Sequence, residues 1–417
     1  MSTLKVNKLR DTAGSADAIT LDPNGGAVLA GVTTVTSVKV GAAVTISESG
    51  IEASGIGITC ANINGQQIGG RRNIVINGAM RVAQRGTSFT DANSQYTLDR
   101  FRYYRNLDTG EVTVSQEDVT DLVGFTKAIK INTTTAETGI PSKSGEKYAT
   151  LLYRVEAQDL QHISNGTSSA KPLTLSFYAK SNVTGTFCVS LYKGDNTARL
   201  ISLPYTINSA NTWEQKTLSI PGDTSGSGIN NDTGEGIAFY WIFARAQGYQ
   251  GTTSTSWINY TATGWAPLCT GSIFENVNDH IFITGVQLEV GSQPTAFEHR
   301  SHGEELQLCA RYFQQFEGGS NSLFATGFTA TNDFYGGGTL PMGKMRAAPT
   351  IAVDGTLSHL NYTHVAVARD ASSITNQGSG DSSFVVRLQS TSTTTDNAGA
   401  YARIIDSSTN LTFDAEI

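Results

Sequence analysis

Gly285-Val-Gln-Leu-Glu-Val-Gly291-Ser-Gln-Pro294-Thr-Ala-Phe297-Glu-His-Arg-Ser301-His-Gly-Glu304-Glu-Leu-Gln-Leu-Cys-Ala-Arg-Tyr-Phe313 is the stretch in which one kind of pattern gives way to another. Val286, Leu288 and Val290 alternate with polar residues, the period of a strand with one buried face. Ile281 and Ile283 lie on the opposite parity, so the alternation slips at Gly285 as it does at a β-bulge. Beyond Pro294 the pattern turns helical. Ser301 and Glu304 stand three apart, a capping-box spacing in which each side chain can bond an orphan N–H, and Leu306, Ala310 and Phe313 follow at i, i+4 and i+7. So short a helix is marginal alone in water and must pack on a sandwich or on copies of itself. It reads as a neck between two β regions.

Outward from this point the chain is β-like on both sides. Its 417 residues allow two or three domains at roughly 100–200 residues each. With 43 Gly and 16% charged residues, and abundant Ser and Thr, the composition is that of an all-β protein with many turns. A net charge of -7 argues against a nucleic-acid surface, which needs clustered Lys and Arg. No apolar run approaches the ~18 residues of a membrane span, and the polar start Met1-Ser-Thr-Leu-Lys lacks a signal-peptide pattern, so synthesis in a cytosol is expected. Cys60, Cys188, Cys269 and Cys309 lack zinc or C-x-x-C spacing and are expected as buried thiols.

Residues 71–300 read as one jelly-roll sandwich. Leu173, Leu175, Phe177 and Ala179 alternate with polar residues, as do Phe187, Val189 and Leu191; Trp213–Ile220 is another strand, and Ile237–Ala244, almost wholly apolar, is expected at the centre of a sheet. The 222–236 connection is a Gly-rich polar loop. Residues 301–315 are the helical neck. Residues 316–417 form a smaller β-sandwich, with strands at Thr363–Ala368, Phe384–Leu388 and Tyr401–Ile405. In residues 1–70, short β-branched runs such as Val32–Val40 and Val44–Ile46 alternate with glycines. Each run is too small for a core of its own, so winding with identical copies is favoured over disorder.

Two motifs carry a family resemblance. Thr284-Gly-Val-Gln-Leu-Glu-Val-Gly291, with Pro294-Thr-Ala-Phe297-Glu298 and Glu304-Glu305-Leu306 to Arg311-Tyr312-Phe313, resembles a junction in bacteriophage tail-fibre and receptor-binding proteins. Asn73-Ile-Val-Ile-Asn77-Gly78-Ala-Met-Arg81-Val-Ala-Gln84-Arg85-Gly86, followed by Leu98-Asp99-Arg100-Phe101, is similar to the opening of their carbohydrate-binding-like sandwich. The likeness brackets residues 71–313 and specifies no receptor. It implies a structural virion protein of the phage tail: a homotrimer whose residues 1–70 form a shaft, whose residues 1–23 dock on a tail or baseplate protein, and whose C-terminal domain is the tip that adsorbs to host polysaccharide or lipopolysaccharide. Point-group symmetry alone favours a dimer. The alternatives are a head fibre or decoration protein, and a glycan depolymerase; the latter needs two carboxylates across a cleft, a pairing that sequence spacing does not place.

Aromatic rings cover the apolar face of a sugar while neighbouring polar groups bond its hydroxyls. Tyr249, Trp257, Tyr260 and Trp265, in a Gly/Thr/Ser-rich stretch between strands, and Tyr335, His359, Tyr362 and His364 in the C-terminal domain are the carbohydrate-binding candidates; core or subunit packing is the other role open to the same rings. Asp223, Asn230, Asn231, Asp232 and Glu235 gather oxygen ligands in one loop, a candidate structural Ca²⁺ site without an EF-hand pattern. His299 and His302 lack the i, i+4 spacing of a helical metal pair, and serine-hydrolase, P-loop and dinucleotide patterns are absent.

Overall fold

The computed structural model describes residues 71–251, 255–316, 322–331, 333–354, 357–361, 369–390, 399–404 and 409–417, together with the backbone of the short strands before residue 71. Two compact units divide the chain, Met1–Ala61 and Asn62–Ile417. In the first, Lys8–Arg10, Asp17–Leu21 and Ala27–Leu29 form one three-stranded antiparallel sheet, and Ser37–Val40, Val44–Ser47 and Gly50–Ala53 form another. Neighbouring strands pair in chain order within this one chain.

The second unit is built on two antiparallel sheets. One runs in the order Gln95–Tyr96, Phe101–Asn106, Tyr148–Glu156, Glu235–Arg245, Gly185–Lys193, Arg199–Ile207, Ile258–Asn259; the other in the order Glu214–Ile220, Leu173–Ser181, His280–Val290, Lys127–Thr135, Glu111–Asp118, Ser88–Thr90. The chain crosses repeatedly between the sheets, as in a jelly roll. Their facing side chains make one core, in which the Phe177 ring stands edge-on to Trp241 (5.9 Å) and Tyr205 (5.2 Å). The apolar Glu235–Arg245 strand is the fourth of seven, the central place expected from its composition.

Gly285 is a bulge. Ser176 pairs with Gln287 but Tyr178 pairs with Thr284, so the Gly285 strand carries one extra residue there. Its φ is 62°, and a Cβ would stand 2.8 Å from the Phe125 ring and 2.9 Å from Tyr178; only glycine meets both demands.

The helix spans His302–Ala310, capped by Ser301, whose side chain accepts from the Glu304 N–H. The reciprocal half of the capping box is not formed, because the Glu304 carboxylate pairs with Arg71 at 2.5 Å instead. Nor does the helix run on to Phe313, which begins the strand Phe313–Phe316. Its buried face is Glu305, Cys309 and Ala310, displaced from the expected Leu306 line because the Glu305 carboxylate is drawn inward: it accepts from the Asn77 N–H at 2.5 Å and lies 3.3 Å from Arg300.

The C-terminal region differs from the expected sandwich. The strands Ser322–Ala330, Asp333–Thr339, Ser383–Ser390, Arg369–Ser379, Leu357–Asn361 and Gly399–Ile404 close, in that order, into a barrel, beside a three-stranded sheet of Phe313–Phe316, Asn410–Asp414 and Thr350–Asp354. Glycines permit the curvature. A Cβ on Gly327 would fall on the Tyr335 carbonyl oxygen, and one on Gly336 on the Phe334 ring, so the first barrel hairpin closes only with both side chains missing. The expected strands near 384–388 and 401–405 are present as Ser383–Ser390 and Gly399–Ile404; Thr363–Ala368 lies outside the described residues.

The chain's last residues meet the jelly roll directly. Arg100 and Glu416 form a buried ion pair, with the Arg100 guanidinium 3.4 Å from the centre of the Tyr312 ring. Arg85 holds Asp414 at 3.2 Å, and Arg346 donates to the carbonyls of Ala415 (2.8 Å) and Thr233 (2.6 Å).

Candidate functional site

Because a strand alternates, the seven-stranded sheet that buries Phe101, Tyr103, Leu151, Tyr153, Phe239 and Trp241 must turn the residues between them outward. On that outer face the register aligns Arg102 with Leu152, Leu152 with Tyr240, and Tyr240 with Ser190; the next row runs Tyr104, Thr150, Ile242, Cys188. The segment after the central strand then folds back over half of this face. Tyr249, Ala266 and Cys269 pack on Cys188 and Ile242 as a small satellite core, and Ser190 Oγ donates to the Trp265 carbonyl.

What stays uncovered is a groove of about 360 Å³. Arg102, Tyr104, Tyr148, Leu152, Arg154 and Tyr240 come from the sheet; Ser94, Tyr249, Tyr260 and Trp265 complete the lining. Its rings form two groups. Tyr148 lies 5.5 Å from Tyr104 and stands edge-on to Tyr249 at 5.6 Å. Trp265 stands edge-on to Tyr240 at 4.5 Å and to Tyr260 at 6.1 Å, with Tyr192 behind them. Edge-to-face contact holds each ring at a fixed angle. Tyr260 is 43% exposed, the open end of its group. Burial pushes the Tyr148, Tyr240 and Tyr249 phenols well above their ordinary value, so at neutral pH these hydroxyls are donors as well as acceptors.

Two cations complete the site. Arg154 pairs through Nε with Glu235 and donates through Nη1 to the Ile417 main-chain oxygen at 2.9 Å. Arg102 donates to Ser94 Oγ at 2.8 Å, and its Nε is buried without a hydrogen-bond partner. No carboxylate is among the lining residues.

Three of the four aromatics expected between strands, Tyr249, Tyr260 and Trp265, therefore converge. Trp257 does not join them: its Nε1 donates to the Pro221 carbonyl at 2.7 Å and its ring packs against the jelly-roll core. Tyr335 lies on the barrel, stacked on the half-exposed Phe328 at 5.8 Å with Arg387 beside it. His359 belongs to the strand Leu357–Asn361, and its side chain lies outside the described residues, as do Tyr362 and His364. Arg102, Tyr104, Tyr148, Arg154 and Tyr240 are site residues not expected from the sequence. Their only signal is parity opposite to the core positions of their own strands.

Four of the five loop residues expected to gather Ca²⁺ are engaged with other groups. Asp223 is buried and takes Arg199 on both oxygens, at 2.9 and 3.0 Å. Glu235 holds Arg154, Asp232 Oδ1 accepts from Gly234 N, Asn230 bonds Asp195, and Asn231 is exposed. Among the described residues, no group of three or more His, Cys, Asp or Glu is placed to hold a metal ion, and no helix is long and apolar enough to cross a membrane.

No protein-family model matches the chain, and no curated protein matches it. Solved structures similar to it include carbohydrate-binding modules and a tailspike domain. The enzymatically active domain of tailspike protein 4 of bacteriophage CBA120 is 14% identical over 52% of this chain, at a TM-score of 0.29, and the match spans 21% of that chain. A family 11 carbohydrate-binding module of a cellulosomal cellulase of Clostridium thermocellum is 12% identical, covering 50% of this chain and 98% of the module at a TM-score of 0.24. A CBM4 structure is 11% identical, covering 52% of this chain and 98% of that one at a TM-score of 0.28. At such TM-scores none of them says what this chain binds.

Proposed function

We propose that this chain is a non-enzymatic adhesin, a homotrimeric phage tail fibre whose jelly roll holds a host surface glycan. The observation that carries glycan binding is the groove: an open trough lined by six aromatic rings, with hydroxyl and guanidinium donors set between them. Its volume falls within the usual range for small-ligand sites. Rings held edge-on to one another present fixed apolar faces to sugar C–H groups, and the phenols and arginines bond hydroxyls. A lining without carboxylates lacks the acid and base of glycoside hydrolysis. Attachment to a virion and the trimer are what the resemblance of the Asn73–Gly86 and Thr284–Phe313 motifs to phage tail-fibre proteins implies. Three copies would multiply a weak single site through effective concentration.

The test is affinity electrophoresis of the full chain through gels containing host envelope polysaccharide. Wild type is expected to be retarded, and Trp265→Ala and Tyr260→Ala to run free with unchanged circular dichroism; retardation that survives both substitutions would remove the groove from the account. Light scattering checks the assembly: a trimer that loosens when the chain starts at Arg71 agrees with a shaft in residues 1–70, and a full-length monomer refutes it.

A further inference from the structure

The charge in the groove is opposite to that of the molecule. The whole chain carries -7, yet the lining holds two arginines and no acid. The Arg154 charge is offset by Glu235. Arg102 has no such offset: it pairs with no carboxylate among the described residues, its bonds go to the neutral Ser94, and its Nε is buried and unmatched. A buried donor without a partner is costly, and here it belongs to a group that cannot lose its charge. Both neighbouring rings, Tyr96 and Tyr104, lie within 5.9 Å of its guanidinium and offer π faces but no anion. The lining holds no side-chain amide or carboxylate, and its side-chain acceptors are neutral hydroxyls alone.

We infer that the groove takes an acidic glycan, with Arg102 receiving a ligand carboxylate while the rings take the sugar faces. A planar carboxylate matches the forked donors of a guanidinium, and no carboxylate of the chain's described residues occupies that fork. This rests on the reading of the groove as a glycan site. Non-specific attraction is disfavoured, because a chain of net charge -7 repels a polyanion overall; retention by an acidic polymer must come from a local site.

The experiment uses the full chain in native gels containing polygalacturonate, alginate or hyaluronate, each run beside its methyl-esterified form, with dextran as a neutral polymer. At least one free acid is expected to retard the protein while its ester does not. Arg102→Gln is expected to weaken that retention about 10-fold or more, and Arg102→Lys to restore part of it, with thermal midpoints alongside to show that both variants fold. Equal retardation by an acid and its ester, by dextran alone, or by the acid with Arg102→Gln intact, overturns the acidic ligand and leaves the glycan site standing. No retardation by any of the polymers overturns the acidic ligand, and failure on host envelope polysaccharide as well removes the glycan site with it.

Discussion

Glu416 is the residue whose loss should be felt furthest. Arg100 and Glu416 are 1% and 3% exposed at their side chains, so replacing Glu416 with Ala leaves a guanidinium buried that cannot neutralise itself. Its remaining partners are the Arg154 carbonyl, at 2.6 Å, and the Tyr312 ring. Removing one member of a buried pair costs about 3–5 kcal/mol. For a body of this size, at roughly 2 °C per kcal/mol, the thermal midpoint should fall by about 6–10 °C. Differential scanning calorimetry of wild type, Glu416→Ala, Arg100→Met and the double variant Arg100→Met/Glu416→Leu measures it. The double variant should recover much of the loss, since an apolar pair of similar volume often replaces a buried ion pair without penalty. Because Ile417 bonds both Tyr96 and Arg154, Glu416→Ala should also loosen the Arg154 side of the groove and weaken glycan retention. A shift under about 2 °C, or a double variant as unstable as the two single losses combined, would refute the clamp.

Acid should weaken the same junction. Burial raises the Glu156 carboxyl, but hydrogen bonds from Arg311 and Tyr312 outweigh it and hold the group below its ordinary value; at Glu298 burial is likewise outweighed by the Asn73 and Arg72 N–H groups and Arg300. Groups held low in the folded state stabilise it above their unfolded pKa, about 4.3, and that stability drains away as pH falls through the folded value. Thermal midpoints should therefore be flat near neutrality and drop below about pH 4, and Glu156→Gln should shrink the drop; an unchanged profile in that variant removes its share. In the barrel, Gly327→Ala sets a Cβ on the Tyr335 carbonyl, and the hairpin Ser322–Thr339 should lose hydrogen-exchange protection while the jelly-roll peptides keep theirs. Unchanged exchange across that hairpin would mean that the barrel yields without cost.

The sequence made strands legible where one face is buried and the other is not. Leu173–Ala179 alternates because its odd positions face Trp241 and its neighbours across the core, and the slip at Gly285 is visible because a bulge reverses parity. The helix was legible at its start through Ser301, but not in its facing. Asn77, far away in sequence, turns Glu305 inward, and no local pattern reports a partner at such a separation. The barrel was hidden for a similar reason: Gly336-Gly337-Gly338 has no side chains to alternate, and only the fold brings the Phe334 and Phe384 rings against it.

The groove was half legible, and the two halves differ in kind. Tyr249, Tyr260 and Trp265 stand in an irregular stretch, where a large ring has no periodic reason to be and so draws notice. Arg102, Tyr104 and Tyr240 hide inside strands, where alternation already accounts for every second residue being polar or amphipathic. Yet the outward positions of a strand beside the core need only tolerate water, and Ser or Thr would do that at less cost in side-chain entropy than Arg or Tyr. In Phe101-Arg-Tyr-Tyr-Arg105 and Phe239-Tyr-Trp241 the chain places large rings and a guanidinium on that face. The loop that follows covers only half of it. Rings left uncovered beside a cation with no anion of its own are the arrangement that an aromatic-stacked, acidic sugar chain would complete.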